Sequence, residues 1–168
     1  MFTCRLRGYD YSYVGMYLPA QAGFITICTQ NRECLFEGIV NGEMVLNEFG
    51  TIVDEKINEL KKYKNVDIDI YCVMPNHVHF IIQIVGAHHD APNEHYRTHI
   101  RAIHESPLRR SLLSQIIGYF KMNSAKTIHI TNPNIRIWQR NYYEHIIKNE
   151  IEYIKIKRYI QLNSTMWG

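Results

Sequence analysis

The sequence predicts an α+β fold, with an antiparallel sheet built in the order β-α-β-β-α-β and one further helix closing the chain. Three observations predict it. Residues 23–30 and 66–73 alternate at the period of two that marks a strand. Residues 47–63, 108–128 and 150–162 carry apolar positions at helical spacing. The strand at 66–73 is separated from the apolar run that begins at His77 only by Met74-Pro75-Asn76, a tight turn.

Taken in order, residues 1–20 read as an irregular arm. Arg5, Arg7, Tyr9, Tyr11, Tyr13 and Tyr17 interleave basic and aromatic groups around Gly8 and Gly15. Arginine suits phosphate and tyrosine stacks on unpaired bases; the bland alternative is a tail whose tyrosines pack on the domain surface. Residues 23–30 form the first strand. Residues 35–40 and 43–46 read as a hairpin, because Asn41-Gly42 supplies the positive φ angles of a tight turn. Asn47 then caps a helix on which Phe49, Ile52, Val53, Ile57 and Leu60 share a face. Lys61, Lys62 and Lys64 gather at the end of that helix, where cations are favoured.

In the strand at 66–73, Val66, Ile68, Ile70 and Cys72 are expected on one face and Asp67, Asp69 and Tyr71 on the other. Residues 86–107 hold five of the nine histidines among Ala, Pro, Asn, Glu and Arg without apolar periodicity, and read as a mobile insertion. The helix at 108–128 should bury Leu112, Leu113, Ile116, Ile117 and Phe120. A last strand is expected at 135–139, centred on Trp138. The closing helix at 150–162 begins at Asn149, with Glu152 placed as in a capping box, and Tyr153, Ile154 and Ile160 are available for packing. This element order is the split arrangement of a ferredoxin-like domain, with a hairpin added near the N-terminus and a helix added at the C-terminus.

The chain of 168 residues is read as one domain spanning 1–168. No apolar run approaches the roughly 20 residues that span a bilayer, and the N-terminus lacks the pattern of a signal peptide. A cytoplasmic protein with no membrane partner is expected. Cys4, Cys28, Cys34 and Cys72 contain no C-x-x-C pair, which argues against a disulfide framework or structural zinc. The net charge of +3 is compatible with nucleic acid without announcing it.

The chemistry concentrates at His77-Val78-His79. On a strand both imidazoles leave the same face while Val78 and Phe80 leave the other, so the pair is half of a divalent metal site. The apolar run from Phe80 to Val85 marks the strand as central, with the histidines at its mouth. Tyr159 and Asn163, at i and i+4 on the closing helix, lie one turn apart.

These residues resemble the single-tyrosine HUH transposases, most closely the branch associated with repetitive extragenic palindromes (REP). The likeness rests on His77-Val78-His79 after Met74-Pro75-Asn76, on Tyr159 and Asn163, and on three supporting segments. These are Gly8-Tyr9-Asp10-Tyr11-Ser12, Ile27-Cys28-Thr29-Gln30-Asn31-Arg32 and Trp138-Gln139-Arg140-Asn141-Tyr142-Tyr143-Glu144-His145-Ile146-Ile147. One departure is that Ser164-Thr165-Met166-Trp167-Gly168 stands where relatives continue with Pro and a tail.

The resemblance implies a metal-dependent endonuclease and strand transferase acting on single-stranded DNA at hairpins or palindromes. It makes Tyr159 the nucleophile of a 5′-phosphotyrosine intermediate. His77, His79 and Asn163 become ligands of Mg²⁺ or Mn²⁺. Arg5, Arg7, Tyr9, Tyr11, Lys121, Lys126 and Arg140 are the expected DNA contacts. Tyr142, Tyr143 and Tyr153 compete as nucleophiles but lack a ligand residue at i+4, and Glu144 and His145 are expected in a structural turn. A homodimer and a monomer both fit the resemblance. Two other classes are weighed: a domesticated hairpin-binding protein without catalysis, and an RNA-binding ferredoxin-like domain. The latter would want aromatic residues on exposed strands, where the His77 strand offers Ile81 and Gln83.

Overall fold

A computed structural model of the chain describes residues 22–63, 66–84 and 112–167. The arm bearing Arg5, Arg7, Tyr9 and Tyr11, and the expected insertion at 86–107, lie outside the described residues. The strands are β1 (Ala22–Cys28), β2 (Glu37–Val40), β3 (Glu43–Leu46), β4 (Val66–Met74), β5 (His77–Ile84) and β6 (Tyr143–Ile146). The helices are α1 (Glu48–Leu60), α2 (Leu112–Thr131) and α3 (Glu150–Leu162), with 3-10 turns at Gln30–Arg32 and Ser164–Met166. The main sheet runs β4-β5-β1-β6 with every neighbouring pair antiparallel, and β2 and β3 form a separate hairpin. This is the expected α+β ferredoxin-like core with its extra hairpin and closing helix.

Alternation along β1 and β5 divides the sheet into two faces. Ile25, Ile27, Val78, Phe80 and Ile82 face α1 and α2, packing with Val53, Ile57, Leu60, Ile117 and Phe120. Phe24, Ile81, Ile70, Cys72 and Met74 lie in a second apolar cluster, where α3 contributes Tyr153, Ile156 and Ile160. Fully burying a side chain such as Phe80 or Ile160 contributes on the order of 1.5–3 kcal/mol. Both faces are therefore closed, and β5 is central as expected.

Four expectations are corrected. Residues 135–139 form no strand: Trp138 makes only an isolated bridge with Thr29. Its apolar signal is core packing, with the indole 5.3 Å from Phe36 and 5.5 Å from Phe120 between ring centroids and Nε1 donating to Ser124 Oγ at 2.9 Å. The fourth strand is instead β6, so Glu144 and His145 lie on a strand rather than in a turn. Being a short, mostly exposed edge strand, β6 carries no apolar alternation.

The faces of β4 also differ from expectation. Its pairing with β5 shifts between Ile68 and Ile70, leaving Asp69 as the extra residue of a β-bulge. Ile68 therefore faces α1 and α2, whereas Ile70, Cys72 and Met74 face α3. Leu112 and Ile154 are exposed rather than packed, and on α3 it is Ile156, not Ile154, that meets the sheet. Among the described residues no helix is long and apolar enough to cross a membrane.

The hairpin is locked to α1 at one close contact. Asn41 and Gly42 adopt φ of 52° and 76°, the turn expected of them. Asn47 caps α1 by accepting from Gly50 N–H at 2.9 Å, while its own amide donates to the Leu35 carbonyl at 2.9 Å. A Cβ on Gly50 would stand 2.8 Å from the Phe36 carbonyl oxygen, and neither backbone can yield independently. Gly50→Ala should therefore destabilise the protein by about 1–3 kcal/mol, seen as a lower urea midpoint with an unchanged slope.

Candidate active site

The antiparallel register sets out the site before any side chain is considered. His79 stands opposite Cys72 on β4 and Thr26 on β1; His77 stands opposite Met74 and Cys28. Both imidazoles rise on the α3 face, their ring centroids 4.4 Å apart. His79 stacks on Phe24 at 5.1 Å.

Each ring is anchored through Nδ1. In His77, Nδ1–H donates to Asn76 Oδ1 at 2.7 Å. In His79, Nδ1 lies 2.8 Å from Thr26 Oγ1. Nε2 is the ring nitrogen that these anchors leave over. Metal-binding histidines are held in the same manner, with the second nitrogen engaged by an oxygen behind it.

Both rings are kept neutral. Burial, and then the charge of Arg32, lower the His77 pKa from 6.5 to about 4. Burial, and then His77 itself, lower that of His79 to about 3, against a smaller opposing effect of the Ile25 hydrogen bond.

The tyrosine is delivered by α3. Its first turn is held by Asn149, which accepts from Glu152 N–H at 2.9 Å, while the Glu152 carboxylate accepts from Lys148 N–H and His145 Nε2, each at 2.7 Å. These contacts, the backbone N–H of Lys148 foremost, lower the Glu152 pKa. The middle of the helix is held by the bulge residue Asp69, which accepts from Tyr153 Oη at 2.6 Å and from Lys157 Nζ at 2.8 Å. Ile160 is fully buried beneath.

With the helix so placed, Tyr159 Oη comes to 3.4 Å from His79 Nε2. The phenol is 47% exposed, so a bound strand could reach it. Asn163, one turn further on, is buried, and no other described residue hydrogen-bonds its side-chain amide. The chain on either side of it touches the histidine pair: Tyr159 meets His79, and Trp167 lies 5.6 Å from His77 between ring centroids. Among the described residues no cluster of three His, Cys, Asp or Glu exists.

The remaining candidates separate clearly. Lys121 is turned inward, donating to the carbonyls of Gln139 at 2.6 Å and Arg140 at 3.0 Å, and burial lowers its pKa. It braces a loop and has little left for a phosphate. Lys126 and Arg140 are exposed. Tyr142 bonds Ser114 at 3.0 Å and Tyr153 bonds Asp69 at 2.6 Å. Tyr143 sits on β6, edge-on to Phe24. Thr26, Asp69 and Arg32 were not singled out from the sequence, since strand register, a bulge and a turn conformation bring them into play.

The architecture is shared with a REP-associated tyrosine transposase solved bound to a REP hairpin. The match covers 93% of this chain and 73% of that one, with a TM-score of 0.53 and 17% identity. The likeness first read in the motifs thus extends to the fold. No family model matches. The chain belongs to one family with an uncharacterized protein of Haemophilus influenzae, to which it is 35% identical over 166 residues, 98% of this chain and 88% of that one.

The depressed imidazole pKa values have a consequence for stability. Between pH 6.5 and about 4 the unfolded chain takes up protons at His77 and His79 that the folded chain refuses. Stability linked to these rings is complete above the unfolded pKa and is lost as pH falls. In chelator, urea midpoints should be level above about pH 6.5 and decline below it, and His79→Gln should flatten part of that decline.

Proposed function

We propose that this chain is a metal-dependent single-stranded DNA endonuclease and strand transferase of the HUH type, working beside hairpin or palindromic sequences. The observation that carries the reading is the approach of Tyr159 Oη to 3.4 Å from His79 Nε2, within one chain and on an exposed phenol. His77, His79 and Asn163 are the proposed ligands of Mg²⁺ or Mn²⁺. Two neutral imidazoles with engaged Nδ1 atoms, and a largely buried asparagine between residues that touch them, support that assignment.

The chemistry follows from what each group lacks. A phenol with an ordinary pKa near 10 is a weak nucleophile at neutral pH, and its target is anionic. A divalent cation on the three ligands would neutralise charge on the scissile phosphate and polarise phosphorus. Because Asn163 is the C-cap of the helix that carries Tyr159, the residue that helps fix the phosphate also fixes the direction of attack. The Tyr159 oxygen forms a bond to phosphorus as the bond to the 3′ oxygen breaks. The phenolic proton is released and the leaving oxygen takes one up. One phosphodiester replaces another, so the strand can be rejoined without nucleotide hydrolysis. A hairpin substrate is supported by the fold neighbour, whose own bound ligand is a REP hairpin.

Labelled single-stranded hairpin DNA tests this directly. Wild type with Mn²⁺ or Mg²⁺ should yield a covalent protein–DNA adduct. Tyr159→Phe should yield none while still binding the DNA. His77→Ala and His79→Ala should lose cleavage, as should wild type in chelator. Binding without any adduct from the wild type would turn the assignment to a non-catalytic hairpin-binding protein. Cleavage at full rate in chelator would remove the metal site.

A further inference from the structure

Beside the histidine pair, the 3-10 turn that leaves β1 is held in an unusual conformation. Asn31 and Arg32 have φ of 55° and 58°, in the left-handed region. Asparagine tolerates that region, whereas arginine seldom occupies it. The turn is stitched to the one that introduces His77. Thr29 donates to the Asn76 carbonyl through N–H at 2.9 Å and through Oγ1 at 3.0 Å. In return Asn76 Nδ2 donates to the Arg32 carbonyl at 3.1 Å, while its Oδ1 accepts from His77 Nδ1 at 2.7 Å. A single amide thus holds both the orientation of His77 and the backbone of Arg32.

Arg32 is exposed and forms no ion pair among the described residues. Its backbone carbonyl takes a hydrogen bond from the same Asn76 amide that orients His77, which sets this residue at the edge of the histidine pair. A strained backbone persists where the surroundings over-determine it, and such positions cluster at functional sites. The proposed ligands of the site are all neutral, so nothing in them calls for a nearby cation. An incoming phosphodiester would.

We infer that Arg32 is a phosphate-binding residue of this active site, its guanidinium meeting a non-bridging oxygen of the scissile phosphodiester as negative charge builds on phosphorus. The inference rests on the proposed reading of Tyr159 as the nucleophile. In the transfer step the bond from Tyr159 Oη to phosphorus forms and the bond to the 3′ oxygen breaks. The five-coordinate species between them carries one more negative charge than the starting diester. A charged donor beside it is the group whose removal is felt in the rate rather than in ground-state binding.

Arg32→Gly is the discriminating variant, because glycine accepts positive φ freely and removes the cation without disturbing the turn. Adduct formation on hairpin DNA is followed at saturating DNA and Mn²⁺, with Mn²⁺ affinity measured separately by calorimetry and folding by thermal melting. The expected result is a fall in maximal adduct rate of about 10²–10³-fold, with melting temperature and Mn²⁺ affinity retained. Arg32→Lys should recover part of the rate, and added guanidinium should partly rescue the glycine variant. Three outcomes would overturn the inference: an unchanged maximal rate, a change confined to KM, or a loss of Mn²⁺ affinity that parallels the loss of rate. If the wild type forms no adduct, the reading of Tyr159 has failed instead.

Discussion

Much of this structure depends on one inserted residue in β4. Asp69 has no partner on β5, and the bulge it makes reverses the facing of every residue after it. Ile70, Cys72 and Met74 are thereby turned toward α3 and give that helix an apolar floor. The same bulge frees the Asp69 carboxylate to receive Tyr153 and Lys157. Floor and tether come from a single irregularity, and together they set how α3 lies. Charge-assisted hydrogen bonds of this kind also add direction, which apolar contact alone does not.

From that placement the site follows with little freedom. Once Ile160 is seated, the preceding residue on the helix can reach His79. Thr26 and Asn76 engage Nδ1 of the two rings, and Nε2 of His79 faces the phenol. The histidines sit on the central strand, whose neighbours on both sides restrict it, and the tyrosine sits on a helix capped and tethered at separate points. Imidazoles and phenol are thus each held by a stiff element that is restrained at more than one point.

Much of this arrangement is legible in the sequence, for identifiable reasons. Asn41-Gly42, the Asn47 and Asn149 caps and the period-two spacing of His77 and His79 are local devices whose meaning does not wait on tertiary structure. What escapes the sequence depends on pairing. Residues 143–146 become a strand because β1 offers an edge, not because they look like one. Trp138 looks like the centre of a strand because it is buried, yet it is buried by Phe36 and Phe120. The alternation of 66–73 conceals the bulge, since Ile68 and Ile70 match in sequence and part in space. Arg32 is an ordinary arginine until the turn that carries it is seen.

The hairpin of β2 and β3 gains a meaning from where the chain goes after α3. Ser164–Met166 come to rest against β3, with a methyl of Thr165 beside the Gly42 turn, and Trp167 then lies against His77. The hairpin is thus a buttress: its tip supports the segment whose next residue leans on the imidazole pair. Lengthening or stiffening that tip would be transmitted as leverage to His77, from a part of the molecule that touches neither imidazole.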